Sequence, residues 1–152
     1  MWELKHDGYR ALFYLDSATR RAEFISRTGK VMGRFQWLAD ALAKELSHSR
    51  LVLDGEIVVL DAAGHSHFNA LAKRDAPATF YCFDIPISGN DNRQHPLSSR
   101  KNLMTAMWSN GRPHMTIGEY VDGMSGTHCS SRSARAIARG SSARRCSRPT
   151  AW

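Results

Sequence analysis

The chain has 152 residues, 42% apolar and 23% charged, which suits a single ordinary domain with enough apolar side chain to close a core and excludes wholesale disorder. No apolar run approaches the roughly 20 residues that a bilayer helix needs, and Met1-Trp2-Glu3-Leu4-Lys5 opens no hydrophobic signal stretch, so no membrane span is expected and the cytoplasm is the default compartment. The net charge of +7 is uneven: six arginines, with no lysine or acid, give residues 124–152 a charge of +6 and leave the first 123 residues at +1. An inference of nucleic-acid binding from overall charge therefore concerns the tail alone.

From the N-terminus, Arg10 to Leu15 and Ala22 to Ile25 are β-prone runs separated by a polar turn, and Thr28-Gly29-Lys30 is a tight turn by composition, a pattern of antiparallel pairing. Phe35, Leu38, Ala39, Leu42 and Leu46 recur at three- and four-residue spacing and predict a helix from Phe35 to about Ser47. Leu51-Val52-Leu53 and Ile57-Val58-Val59-Leu60 flank Asp54-Gly55-Glu56, and Phe80-Tyr81-Cys82-Phe83 is a further buried-strand candidate. A second helix is expected from about Ser98, with Leu103 and Met107, and Met104 and Trp108, stacked on one side. This mixture predicts an α+β domain built on antiparallel sheet.

From Met124 the composition changes to seven serines, six arginines and five alanines without leucine, valine or phenylalanine, too little apolar area to offset the entropy of ordering, so 124–152 is expected to be disordered. Cys82, Cys129 and Cys146 form no C-x-x-C pair and read as reduced thiols. His65 with His67, and His128 with Cys129, each lack the second half of a zinc site.

Lys5-His6-Asp7-Gly8-Tyr9-Arg10 is the strongest local signal. Two readings fit it: a surface turn closed by Asp7-Gly8, or a reactive lysine. An exposed lysine near its usual pKa of about 10.4 is a poor nucleophile, whereas one whose ammonium form is disfavoured by nearby cations attacks phosphorus as the neutral amine. Gly8 would allow backbone to approach a nucleotide.

The hexapeptide belongs to an ordered series: Glu3-x-Lys5-x-Asp7-Gly8-x-Arg10, Ser26-Arg27-x-Gly29, Leu53-Asp54-Gly55-Glu56, Phe80-x-x-Phe83-Asp84 and Pro96-Leu97-x-x-Arg100-Lys101. This series resembles the adenylation domain of ATP-dependent DNA ligases of the bacterial repair type, over residues 2 to about 122. The resemblance implies the antiparallel-sheet nucleotidyltransferase fold shared with mRNA capping enzymes, here as an incomplete domain over 1–123. It implies ATP and Mg2+ as cofactors, nicked double-stranded DNA as partner, a role in DNA repair and recombination, no membrane, and a monomer. Lys5 matches the family's nucleophile, which forms lysyl-AMP before AMP passes to a 5′-phosphate. Glu3 matches a residue near the adenine amino group, and Arg10 and Arg27 match arginines that contact AMP or the nick phosphate through a planar fork. Glu56 matches the glutamate of the ribose hydroxyls and the metal surroundings, and Phe83 the aromatic that stacks on adenine. Outside the family, Glu56 reads as a hairpin-turn glutamate and Phe83 as a core aromatic. Phe80 and Tyr81 read as core or neighbouring wall, and Asp7 as a loop-orienting residue.

The family pattern continues past Gly123 with an E-G-[IV]-V-x-K motif, a W-x-K motif and an OB-fold, none of which is written in residues 124–152. One reading frame over, permitted codons for His128-Cys129-Ser130-Ser131 can give A-L-F-E, and those for Arg139 to Arg144 with the last base of Ala138 can give E-G-I-V-G-K, so the tail is compatible with a shifted frame. On the family pattern, a chain without the missing lysines and metal-site glutamate is expected to have impaired activity. Two other readings stay open: an RNA ligase or capping-type nucleotidyltransferase, and an inactive remnant that binds nucleotide or DNA.

Overall fold

The structure is a computed structural model that describes residues 2–73, 76–108, 112–118, 120–121 and 143–145. In chain order its elements are β1 (Trp2–Leu4), β2 (Tyr9–Asp16), β3 (Arg21–Ser26), α1 (Gln36–Glu45), β4 (Arg50–Val58), β5 (Thr79–Ser88), β6 (Asn90–Asp91), α2 (Leu97–Trp108), β7 (Met115–Ile117), β8 (Tyr120–Val121) and β9 (Ala143–Arg145). Short 3-10 turns at Gly33–Phe35 and Phe68–Ala72 precede α1 and β5. The chain divides into two compact units, one of residues 7–117 and one that joins residues 1–6 to the chain from Gly118 onward.

In the larger unit the strand order is β3-β2-β4-β5-β6, with β7 also on β5. All pairings are antiparallel except that of β5 with β7, which is parallel, so the predicted antiparallel sheet is a mixed one. β2 follows the period-2 rule: Ala11, Phe13 and Leu15 are buried between half-exposed Arg10, Leu12 and Tyr14. One side of the sheet joins Leu38, Ala39 and Leu42 of α1 and Met104 and Trp108 of α2 in the main core. Phe13, Phe24 and Phe80 meet there with ring centres 5.1 to 6.4 Å apart, contacts worth about 0.5–1.5 kcal/mol each beyond burial.

Two local expectations are corrected. Asp54-Gly55-Glu56 is not a turn but the middle of the single strand β4, because Arg50 to Ile57 pair without a break with β2. On α2 the buried stripe is Arg100, Lys101, Met104 and Trp108, while Leu103 is exposed. Two cations, Arg100 ion-paired with Asp84 and Lys101 hydrogen-bonded to the Phe83 carbonyl, fill positions that an apolar count assigns to other residues.

In the smaller unit β1 is the central strand, antiparallel to β8 and to β9. Glu3 pairs with Tyr120 on one side and Arg144 on the other. β9 lies within the stretch expected to be disordered, and a backbone ladder needs no apolar side chains of its own. The rest of 124–152, including Cys129 and Cys146, lies outside the described residues. No helix among the described residues is long and apolar enough to cross a membrane.

Candidate nucleotide-binding site

The side of the large sheet away from the helices carries a second cluster, Val58, Tyr81 and Phe83 with Leu60 at its edge. Phe80 belongs to the main core, so alternation along β5 divides the aromatics between the two sides, Phe80 below and Tyr81 with Phe83 above. Arg10, Glu56 and Tyr81 form one row across β2, β4 and β5. Arg27 is exposed and follows Ser26, the partner of Ala11, so the chain leaves β3 at the end of the sheet where Arg10 and Glu56 sit.

Arg10 is held at two points. Its Nε donates to Asp54 Oδ1 at 2.7 Å and its Nη2 to Asp54 Oδ2 at 2.5 Å, while Cζ lies 4.2 Å from the centre of the Phe83 ring. The planar fork that the resemblance directs at a phosphate is thus turned onto Asp54, leaving the Nη1 side of the guanidinium to meet other acceptors. Asp54 is almost fully buried, and its charge is matched by Arg10 rather than by water.

Asp7 and Gly8 are fixed through their backbone. The Asp7 amide donates to Ser66 Oγ and the Gly8 amide to Glu56 Oε1, each at 2.9 Å. A Cβ on Gly8 would collide with the Ile57 carbonyl and come within 2.8 Å of Val58 Cγ1. The glycine of the hexapeptide is therefore required by the approach to β4, an approach the sequence reading assigns to a nucleotide.

Phe83 sits at a β-bulge. The single step from Asp54 to Gly55 on β4 is matched by two steps on β5, from Asp84 to Cys82, which makes Phe83 the inserted residue. From α2, Arg100 grips Asp84 with Nε and Nη2, both at 2.8 Å, and Lys101 Nζ donates to the Phe83 carbonyl at 2.8 Å. Burial pushes the neighbouring Cys82 thiol far up, Asp54 and Asp84 add to the shift, and Lys101 partly offsets it. The Cys82 sulfur is thus a packing group and not a nucleophile.

In the smaller unit, Glu3 lies on β1 and Lys5 follows it, exposed. His65 and His67 both face Asp61, at 3.5 and 3.0 Å, and hydrogen bonding from His67 holds the Asp61 carboxyl well below the usual range. Among the described residues no three His, Cys, Asp or Glu side chains gather as a metal site. Neither the role of Asp54 as the holder of Arg10 nor that of Ser66 as the acceptor for Asp7 is among the expectations from sequence. For Asp54 a signal existed, since a carboxylate in a strand running beside a strand with an arginine makes a cross-strand ion pair. Ser66 lies 59 residues from Asp7 and left none.

The family model described as the ATP dependent DNA ligase domain matches residues 1–141. Over 114 residues the chain is 32% identical to the multifunctional non-homologous end joining protein LigD of Mycolicibacterium smegmatis, covering 72% of this chain and 15% of that protein. The corresponding protein of Pseudomonas aeruginosa is 34% identical over 113 residues, covering 70% of this chain and 13% of its own length. Among solved structures, the ligase domain of Mycobacterium tuberculosis LigD superposes with a TM-score of 0.62 at 29% identity, covering 80% of this chain and 40% of that one. A mycobacterial DNA ligase D complexed with ATP and MES does so with a TM-score of 0.64 at 27% identity, covering 91% and 44%. The chain thus spans less than a sixth of these full-length relatives and less than half of the solved domains. With the family model matching nearly end to end and the sheet superposing on ligase domains, the chain belongs to the ATP dependent DNA ligase domain family.

Proposed function

We propose that this chain performs the nucleotidyl transfer that opens ATP-dependent DNA ligation, with Lys5 as the nucleophile. Lys5 Nζ, having given up a proton, attacks the α-phosphorus of ATP; the bond to the bridging oxygen breaks, pyrophosphate leaves, and a phosphoramidate joins AMP to the lysine. The AMP then passes to the 5′-phosphate of a DNA nick, and the 3′-hydroxyl displaces it to seal the strand.

Phe83 is the wall for the adenine ring, Glu3 contacts the adenine edge, and Glu56 serves the ribose hydroxyls. Arg10 and Arg27 serve AMP or the nick phosphate, Arg10 through its Nη1 side because Asp54 engages the other edge. Mg2+ is commonly held by one or two carboxylates together with substrate phosphates, and Glu56 belongs to its surroundings as an indirect partner. When bound, the ion offsets phosphate charge. The nicked duplex is the partner and the monomer the active form.

The observation that carries this reading is the meeting of Arg10, Glu56 and Phe83 on the side of the sheet away from α1 and α2, with the Glu56 carboxylate bound to the backbone three residues after Lys5. The test incubates the full chain with Mg2+ and α-labelled ATP or GTP and follows label retained on denatured protein. Label from ATP that is lost in Lys5→Ala is expected. Preference for GTP would move the reading to capping-type chemistry, and absence of label from either nucleotide would overturn it.

A further inference from the structure

The mechanism above leaves two buried cations unused. Arg100 is 4% exposed and Lys101 is 0% exposed, both on the side of α2 that packs against the sheet. Neither is a surface charge turned inward by chance, since each ends on a specific acceptor of β5. Lys101 Nζ reaches the carbonyl of Phe83, and Arg100 takes both oxygens of Asp84 while its Nη1 donates to the His95 carbonyl at 2.6 Å.

These acceptors flank the bulge in β5. An inserted residue disturbs the ladder and re-aims its side chain, so the backbone there needs hydrogen-bond partners from outside the ladder. The sequence records the insertion: Phe80 and Cys82 face the main core, and the next core residue is Ile85, three positions on instead of two. Tyr81 and Phe83 share the opposite side by ordinary alternation, so the break in period falls after Phe83. Buried ion pairs are weak contributors to net stability compared with apolar packing, and their better-attested use is to select one geometry.

We propose that Lys101 and Arg100 are positioning residues that lock the β5 bulge and thereby set the plane of the Phe83 ring, controlling affinity for the nucleotide base without touching it. This rests on the assignment of Phe83 as the adenine wall. Lys101 fixes the carbonyl of Phe83 itself, and Arg100 fixes the next residue. Arg10, drawn to Asp54, closes over the ring from the other strand.

The test is a double-mutant cycle on the full chain, read as the dissociation constant of α,β-methylene-ATP, which binds without transferring AMP. Phe83→Ala is expected to weaken binding about tenfold, the scale of one lost base–aromatic stack. Lys101→Met, which keeps the side-chain bulk and removes the donor, is expected to weaken it about fivefold. The double variant is expected to bind no more weakly than Phe83→Ala alone, because both changes act through one ring. A purely structural lysine would instead multiply the loss in the Phe83→Ala background, and that result overturns the inference. An unchanged constant in Lys101→Met beside a weakened Phe83→Ala also overturns it while leaving the adenine assignment intact. If Phe83→Ala binds normally, both fall. Should thermal melting show that Lys101→Met does not fold, Arg100→Lys, which keeps the charge on Asp84 and loses the two-pronged grip, enters the same cycle with the same expected outcomes.

Discussion

Gly8 and Gly55 occupy positions where no other residue fits without moving backbone. A Cβ on Gly55 would lie 2.5 Å from both the Phe80 ring and the Tyr81 carbonyl, and one on Gly8 would strike the Ile57 carbonyl. Gly8→Ala is therefore expected to cost about 1–3 kcal/mol, the range for overpacking a closed site, measured as a fall in the urea midpoint. It should also reduce AMP labelling, since the same shift pulls the Gly8 amide from Glu56. The Arg10–Asp54 pair makes a separate prediction. Asp54→Ala removes a buried carboxylate that holds a guanidinium through two hydrogen bonds, but the Arg10 side chain is 33% exposed and regains some water. The expected loss in equilibrium unfolding is about 1.5–3 kcal/mol, the range for hydrogen bonds to charged groups. All four residues were visible in the motif series. Their structural duties were not, because a motif names residue types and spacing but not which strand lies beneath a given Cα.

At the scale of elements, α2 decides between two faces that look equivalent in one dimension. Leu103 with Met107, and Met104 with Trp108, both show helical spacing, yet Met104 is fully buried and Leu103 is 38% exposed. Met104→Ala is expected to destabilise the chain by about 2–5 kcal/mol through transfer and cavity terms. Leu103→Ala should change stability by less than about 0.5 kcal/mol. Thermal or urea unfolding of the two single variants checks the contrast, and equal effects would refute the burial assignment. The helix takes the Met104 face because Arg100 and Lys101 must reach Asp84 and Phe83, and both lie on the same stripe. The strands were more legible. The β2 alternation and the α1 heptad-like spacing appear in the sequence at nearly their observed limits, since each element reads its own period against one core. β4 was divided by an Asp54-Gly55 pair that signals a turn in isolation but is carried through by pairing on both sides.

For the whole molecule, the closed core gives a pH signature. Cys82 is completely buried, and its thiol is raised above the ordinary 9.0 chiefly by that burial. The folded state therefore keeps a proton that the unfolded state releases at alkaline pH. The stability tied to this group is complete below pH 9 and is lost as pH rises beyond it, at up to about 1.4 kcal/mol per pH unit. Comparing urea unfolding at pH 7 and pH 10 for the parent and Cys82→Ala isolates the contribution. The alkaline loss should be steeper in the parent, and identical slopes would refute the assignment. Below pH 7 the group is silent.

The linear order of residues determined the family, the two helices and the strands β2, β3 and β5, because these depend on local periodicity and on motif spacing. It also determined the charge imbalance between the first 123 residues and the rest. Only the tertiary structure decided which partner each residue around the candidate site meets. Asp54 faces Arg10 across 44 positions, Glu56 takes the Gly8 amide across 48, and Lys101 reaches Phe83 across 18. Such contacts follow from strand register and from the bulge in β5, which are set when competing pairings are weighed against burial of one common core.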